Sequence, residues 1–252
     1  MTPLIDFKNI KKKFGDNHVL DGIDLSIYKG EITTIIGKSG GGKSVLLKHL
    51  IGLIKPDSGD IFFENILLSD MTKKELRTIK KKFSYMFQNM ALFDSMNVFE
   101  NISLPLSEGT SLNEEEIKTR VHDKMRQLDL MDIDDKYPSQ ISGGMKKRVA
   151  LARALVTEPE IVLFDEPTTG LDPIRKNSVH DMISEYQNKF GFTGVVVSHE
   201  IPDVFHISQR IAMLNEGQII FQGDHEQIKQ IDDPIIKEFI SGKKNLKEYK
   251  RV

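Results

Sequence analysis

"ITTIIGKSGGGKSVLLKHL", Ile32 to Leu50, is the phrase on which the fold turns. Ile32 to Ile36 is a near-continuous β-branched run, the pattern of a strand buried on both faces. It runs straight into Gly37. Gly37, Lys38, Ser39, Gly40, Gly41, Gly42, Lys43 and Ser44 then fit G-x-x-x-x-G-K-[ST], and Val45 to Leu53 behind them is rich in apolar residues and helix formers. Strand, glycine-rich loop and helix in that order are the context that a phosphate-binding loop requires. Backbone N–H groups of Gly40 to Lys43 would wrap the phosphates, Lys43 would neutralise β- and γ-oxygens, and the Ser44 hydroxyl would ligate Mg²⁺. The plainer reading is a glycine-rich turn that caps a helix. With glycine at about 7% of average usage, a chance match somewhere in the chain has odds of about 1%, before strand and helix are required.

Bulk properties narrow the classes. The 252 residues include no cysteine, which excludes disulfides, thiolate metal sites and a Cys nucleophile and fits a reducing compartment. A formal net charge of −2 gives no reason to expect nucleic acid as a partner. The longest apolar runs, such as Ile161 to Phe164, fall far short of the roughly 18 residues that span a bilayer. "MTPLIDFKNI" lacks an apolar region behind a basic start, so no export signal is expected and a cytoplasmic location is the default.

Outward from the loop, Ile23, Leu25 and Ile27 alternate with polar residues, as in a half-exposed antiparallel strand. Short strands are expected at Ile61 to Phe63, Phe83 to Phe87, Ile161 to Phe164 and Gly194 to Val197. Ile211 to Leu214 and Gln218 to Phe221 read as a hairpin through Asn215-Glu216-Gly217. Asp172-Pro173 opens a helix through Tyr186, with Asp as cap and Pro at the first helical position. Between Asn89 and Val156 no strand-like run is evident, and Asn113 to Leu130 is charged with helical spacing. These patterns predict an α/β core with some antiparallel sheet over 1–88 and 157–223. A helical insertion over 89–156 and a C-terminal segment of short helices and basic tail over 224–252 complete it.

Other residues gain interest from position. "IVLFDEP" puts Asp165 at the C-terminal end of a buried strand, where ligands bind in open α/β sheets; there it would hold Mg²⁺, and Glu166 would be the base for an attacking water. A pair of surface acids ending a strand is the bland alternative. Gln88 and His199 each follow a predicted strand at the same edge, although a lone Gln in a loop is usually just polar and a lone His is usually a cap or surface residue. Asp172 has an adequate role as helix cap. Phe14 suits stacking on a base, but an isolated aromatic beside a strand is more often core. In "QISGGMKKRVALARAL", Gln140 to Leu155, Ser142 alone would cap the helix, which leaves Gly143 and Gly144 unexplained unless the open N-terminus binds phosphate.

Taken in order, these segments resemble an ATP-binding cassette ATPase over nearly the whole chain. The likeness rests on the P-loop Gly37 to Ser44, Gln88 as Q-loop and "SGGM" at Ser142 to Met145 as signature. It continues through "IVLFDE" at Ile161 to Glu166 as Walker B, "GLD" at Gly170 to Asp172 as D-loop and "SH" at Ser198-His199 as switch. The resemblance implies a P-loop NTPase (RecA-like) core with an antiparallel β subdomain and an inserted helical subdomain. It also implies ATP and Mg²⁺ as ligands, and a head-to-tail homodimer in which Ser142, Gly143 and Gly144 reach the γ-phosphate of the partner's ATP. By the same likeness Phe14 would stack on adenine, Gln88 would sense Mg²⁺ and water, Asp172 would serve the D-loop, Glu166 would be the base and His199 would hold the γ-phosphate.

Met145 stands where Gln is usual, Ile141 where Leu is usual, and Thr169-Gly170 where Ser-Ala is usual; Met145 cannot offer an amide's hydrogen bonds. "FQNMALFDSMNVFENISLPL", Phe87 to Leu106, with "VVVSHEIPDVFHIS" is similar to the ATPase of the lipid-asymmetry (Mla, or toluene-tolerance) transporters of Gram-negative bacteria. That likeness implies phospholipid transport at the cytoplasmic face of the inner membrane. The implied partners are a multispanning permease, a membrane-anchored substrate-binding protein and a small STAS-domain subunit. The competing readings are a non-transport cassette such as a cell-division subunit, and a P-loop kinase or GTPase, which leaves "SGGMKKR" and His199 without a purpose.

Overall fold

The computed structural model describes residues 2–86, 91–201 and 203–241. In chain order the elements are β1 (Ile5–Phe14), β2 (Asn17–Ile27), β3 (Ile32–Ile36), α1 (Lys43–Leu50), β4 (Ser58–Phe63), β5 (Ile66–Leu67), α2 (Lys73–Lys80) and β6 (Phe83–Met86). Then come α3 (Val98–Gly109), α4 (Glu114–Gln127), α5 (Gly143–Leu155), β7 (Ile161–Asp165), α6 (Pro173–Phe190) and β8 (Thr193–Ser198). The hairpin β9 (Arg210–Asn215) and β10 (Gln218–Gly223) and the helices α7 (His225–Gln230) and α8 (Pro234–Ser241) follow.

Two sheets result. One is antiparallel in the order β2-β1-β4-β5; the other runs β10-β9-β3-β8-β7-β6, parallel throughout except for β10. Since β6, β3, β7 and β8 are parallel, their C-terminal ends lie along one edge, so Gly37, Asp165, Glu166 and His199 emerge together. The central strands read as continuous apolar runs because alternate residues serve different cores. Val162, Phe164, Ile36 and Val196 join the helices α3 to α6, whereas Ile161, Leu163, Ile35, Val195 and Val197 pack with Ile5, Phe7, Leu20 and Ile23 of the antiparallel sheet. Burying each such side chain contributes about 1.5–3 kcal/mol.

The expected elements are present with shifted ends. α1 stops at Leu50, short of Leu53, and α4 runs from its Asn113 cap only to Gln127. α6 extends past Tyr186 to Phe190, where Gly191 at φ 70° ends it. β1 was hidden in the sequence because register shifts after Phe7 and Ile10, with Asn9 at φ 51°, break its period-two pattern. α2 was hidden because it buries no side chain; its Thr72–Glu75 capping box was the available signal. Between β6 and β7 the described residues form helices and turns but no strand.

Candidate functional site

Gly37 is dictated by packing: a Cβ there would lie 2.3 Å from the Leu214 carbonyl oxygen on β9. Gly40 and Gly42 adopt left-handed φ values of 76° and 97°, and a Cβ on Gly42 would press on Val19 and Leu20. The loop thus hugs β2 and β9, and its last glycine caps α1 without using a side chain. Lys43, the first residue of α1, is 4% exposed, and its Nζ donates to the carbonyl oxygens of Gly37 and Lys38, each at 2.9 Å. Burial pushes this ammonium below its usual range, and Glu166 at 3.7 Å and the Asp165 charge offset that only in part.

Ser44 follows on α1, and its Oγ donates to Asp165 Oδ1 at 2.8 Å. The other carboxylate oxygen of Asp165 accepts from the Tyr85 hydroxyl at 2.6 Å. Burial, then the Asp165 contact, push the Tyr85 phenol well above its ordinary range, so it stays a donor. Glu166 takes a left-handed φ of 50°, which turns the chain out of β7, and its N–H donates to the Val197 carbonyl at 3.0 Å. Its Oε2 accepts from Thr169 Oγ1 at 3.0 Å, and its Oε1 lies 3.2 Å from His199 Nδ1. That nitrogen is buried and makes no hydrogen bond among the described residues, so the approach to Glu166 is a close contact rather than a bond. Glu200, next in sequence, accepts from Thr168 Oγ1 at 2.7 Å and pairs with Lys176 at 2.6 Å, tying the segment after β8 to the turn after β7.

Lys43, Ser44, Asp165, Glu166 and His199 therefore meet. Asp172 lies apart as the N-cap of α6, accepting from the Arg175 N–H at 3.0 Å. Phe14 is 49% exposed, so the expectation that it belongs to the core is not met; Lys12 Nζ sits 5.6 Å from its ring centre. Ser142 caps α5, its Oγ accepting from the Met145 N–H at 3.2 Å. Ser142, Gly143 and Gly144 are exposed, and Cβ atoms on the two glycines would meet no backbone. Gln88 falls outside the described residues.

Sequence reasoning missed Tyr85, Thr169 and Glu200 as site residues. Tyr85 was findable: β6 ends at the same sheet edge, and a phenol one residue inside that end can reach its neighbour's carboxylate. No group of three or more His, Cys, Asp or Glu gathers into a metal site among the described residues. The oxygens of Ser44 and Asp165 are nevertheless the hard donors that Mg²⁺ favours, and they fit such an ion.

Comparison with known proteins follows the same line. The family described as ABC transporter matches residues 20–169. The Escherichia coli K12 intermembrane phospholipid transport system ATP-binding protein MlaF is 37% identical over 95% of this chain and 89% of its own length. The probable ribonucleotide transport ATP-binding protein mkl of Mycobacterium leprae is 36% identical over 97% of this chain and 70% of its own. Among solved structures, cbiO1 of Clostridium perfringens, part of the transporter complex cbiONQ, superposes with TM-score 0.82 at 31% identity, covering 94% of this chain and 95% of that one. A dimeric ATP-binding cassette in a post-hydrolysis state with ADP and Pi gives TM-score 0.73 at 32% identity, covering 87% and 98%. With a phosphate loop, paired acids and a following histidine on one edge of a shared fold, the chain belongs to the ABC transporter family, as one of its ATP-hydrolysing, ATP-binding subunits.

Proposed function

We propose that the chain drives phospholipid transport, hydrolysing ATP in a head-to-tail homodimer docked on a multispanning permease at the cytoplasmic face of a Gram-negative inner membrane. One observation carries the hydrolytic part: Lys43, Ser44, Asp165, Glu166 and His199, drawn from three separate stretches, are linked by contacts of 3.7 Å or less. Backbone N–H groups from Gly40 to Lys43 and the Lys43 ammonium hold the phosphates. Ser44, Asp165 and Gln88 would hold Mg²⁺, which would supply positive charge against the phosphate oxygens. Glu166, poised beside Thr169 and His199, takes the proton of the attacking water, and His199 holds the γ-phosphate. Phe14 supplies an exposed ring for adenine, and Ser142, Gly143 and Gly144 complete the partner's site next to its D-loop Asp172.

The lipid part is supported by the likeness to MlaF, and it brings a membrane-anchored substrate-binding protein and a STAS-domain subunit as further partners. No described helix is long and apolar enough to cross a membrane, so attachment would run through the permease. The similar identity to a protein named for ribonucleotide transport supports a second reading in which the cargo is a nucleotide. The test is to purify the chain with its copurifying membrane subunits and reconstitute them in liposomes. ATP-dependent movement of a labelled phospholipid, lost with Glu166→Gln, is expected. ATP turnover that responds to ribonucleotides and moves no lipid would sink the phospholipid reading and leave the hydrolytic one standing.

A further inference from the structure

We propose that Tyr85 is a positioning residue for the metal site, holding the Asp165 carboxylate so that one of its oxygens stays aimed at the cation next to ATP. The proposal rests on the assignment of Asp165 and Ser44 to Mg²⁺.

β6 lies parallel to β7 with Tyr85 opposite Leu163. Leu163 and Asp165, two apart, point to the same face of β7, and Tyr85 packs on that face with the second core. Its side chain runs along the sheet, which delivers the hydroxyl to Asp165 Oδ2 at 2.6 Å. Asp165 is then held at both oxygens, by Tyr85 at Oδ2 and by Ser44 at Oδ1.

The two hydroxyls are not equivalent. Ser44 sits on α1 within the phosphate loop, and ligating a cation means turning its oxygen lone pair to the ion and withdrawing its proton from Asp165. Oδ1 is then released toward the metal side, whereas Tyr85 is on a strand outside the loop and keeps Oδ2. Without the phenol, the carboxylate would lose the hydroxyl that holds Oδ2 at the moment it is needed and would turn more easily about its Cβ–Cγ bond. Hydroxyl donors that orient metal-binding carboxylates this way usually change metal affinity by about 10- to 100-fold when removed.

Tyr85→Phe keeps the ring in the core and removes only the hydroxyl. The test measures binding of a fluorescent ATP analogue to the full chain, first in EDTA and then across a Mg²⁺ titration, with Asp165→Asn as reference. Affinity in EDTA is expected to stay within about twofold, since the phosphate loop is untouched. The Mg²⁺ concentration at the midpoint is expected to rise about tenfold, toward the Asp165→Asn value. A Tyr85→Phe midpoint within twofold of the parent, while Asp165→Asn shifts it, overturns the proposal and leaves the metal assignment intact. A lower melting temperature with an unmoved midpoint also overturns it, because the hydroxyl would then serve the fold alone. If Asp165→Asn moves nothing either, the metal assignment falls and takes the proposal with it.

Discussion

Gly144→Ala separates what the folded chain requires from what the shared site requires. Gly143 and Gly144 are the first two residues of α5, and neither has a left-handed φ. An added Cβ on Gly143 meets nothing within 4 Å, and one on Gly144 meets only Ser142 Oγ at 4.0 Å. Within this chain, alanine is therefore free to occupy either position, and it removes the entropy that glycine loses on becoming helical. The gain is at most about 1 kcal/mol, and less in a first turn than mid-helix. In a chain of this size that is a rise in melting temperature of about 2–4 °C. If the same glycines let backbone N–H groups approach a neighbour's γ-phosphate, a methyl group there opens that approach and weakens bonds that matter only in the closed dimer. Turnover should then fall by about tenfold or more, matching the loss of one to two bonds to a charged group at about 1.5 kcal/mol or more. The assays are thermal melting of the isolated chain and steady-state phosphate release, with binding of a fluorescent nucleotide to the monomer as control. The variant should be more stable, bind nucleotide normally as a monomer, and turn over slowly. Undiminished turnover would falsify the idea that Gly144 serves a phosphate, and a lower melting temperature would mean that α5 needs glycine for packing after all.

Gly37→Ala should behave in the opposite way: its Cβ would stand 2.3 Å from a backbone oxygen of β9 where ordinary contact begins near 3.4 Å, so β9 must retreat by about 1 Å at a cost of about 1–3 kcal/mol, visible as an earlier melt; an unchanged melt would refute that packing. A heterodimer of one Lys43→Ala chain and one Gly144→Asp chain should keep one intact composite site and recover part of the turnover that each homodimer lacks, and absence of rescue in a verified heterodimer would argue against sharing. Burial lowers the His49 and His180 pKa values below the ordinary 6.5, and neither ring nitrogen of His180 has a hydrogen-bond partner among the described residues. Folding then keeps its full stability above about pH 6.5 and loses it as the pH falls toward the folded-state values, by at most about 1.4 kcal/mol per pH unit for each histidine. Denaturant melts of His180→Phe across that range should show a shallower loss, and an unaltered slope would reject the assignment.

The parts of the fold legible in the sequence are those where a single interaction dominates. β3 and β7 announce themselves because each is buried on both faces, and α6 because Asp172 and Pro173 start it, although its stop at Gly191 was not read. β1 and α2 were illegible for opposite reasons. β1 makes its sheet contacts through a bulged register that defeats alternation, and α2 is short and mostly exposed, with only Leu76 and Ile79 half-buried on one face. At the site, Lys43, Ser44 and Asp165 were readable because their spacing along the chain encodes the loop and the strand end. Thr169 and Glu200 became visible only when the parallel order β3-β8-β7-β6 brought the segments after β7 and β8 together, whereas Tyr85 could have been found from its place near the end of β6.

That order also bears on the head-to-tail dimer proposed above. The phosphate loop satisfies its own lysine internally, with two carbonyls of Gly37 and Lys38, and the acids satisfy one another's neighbours through Ser44, Tyr85 and Thr169. Ser142 satisfies only its own helix, and no hydrogen bond or ion pair among the described residues joins Ser142, Gly143 or Gly144 to the phosphate loop. Two exposed glycines that the chain does not need, at a helix end with open N–H groups, thus have no internal task. A buried ammonium whose pKa burial has already lowered gains from a phosphate's charge, and the open helix end gains from the same charge on the opposite side. Both gains would be available at once if two chains faced each other across the nucleotide, as in the proposed head-to-tail dimer. In that proposed dimer, hydrolysis would remove the attraction that closes the two chains and so convert a chemical step into a separation.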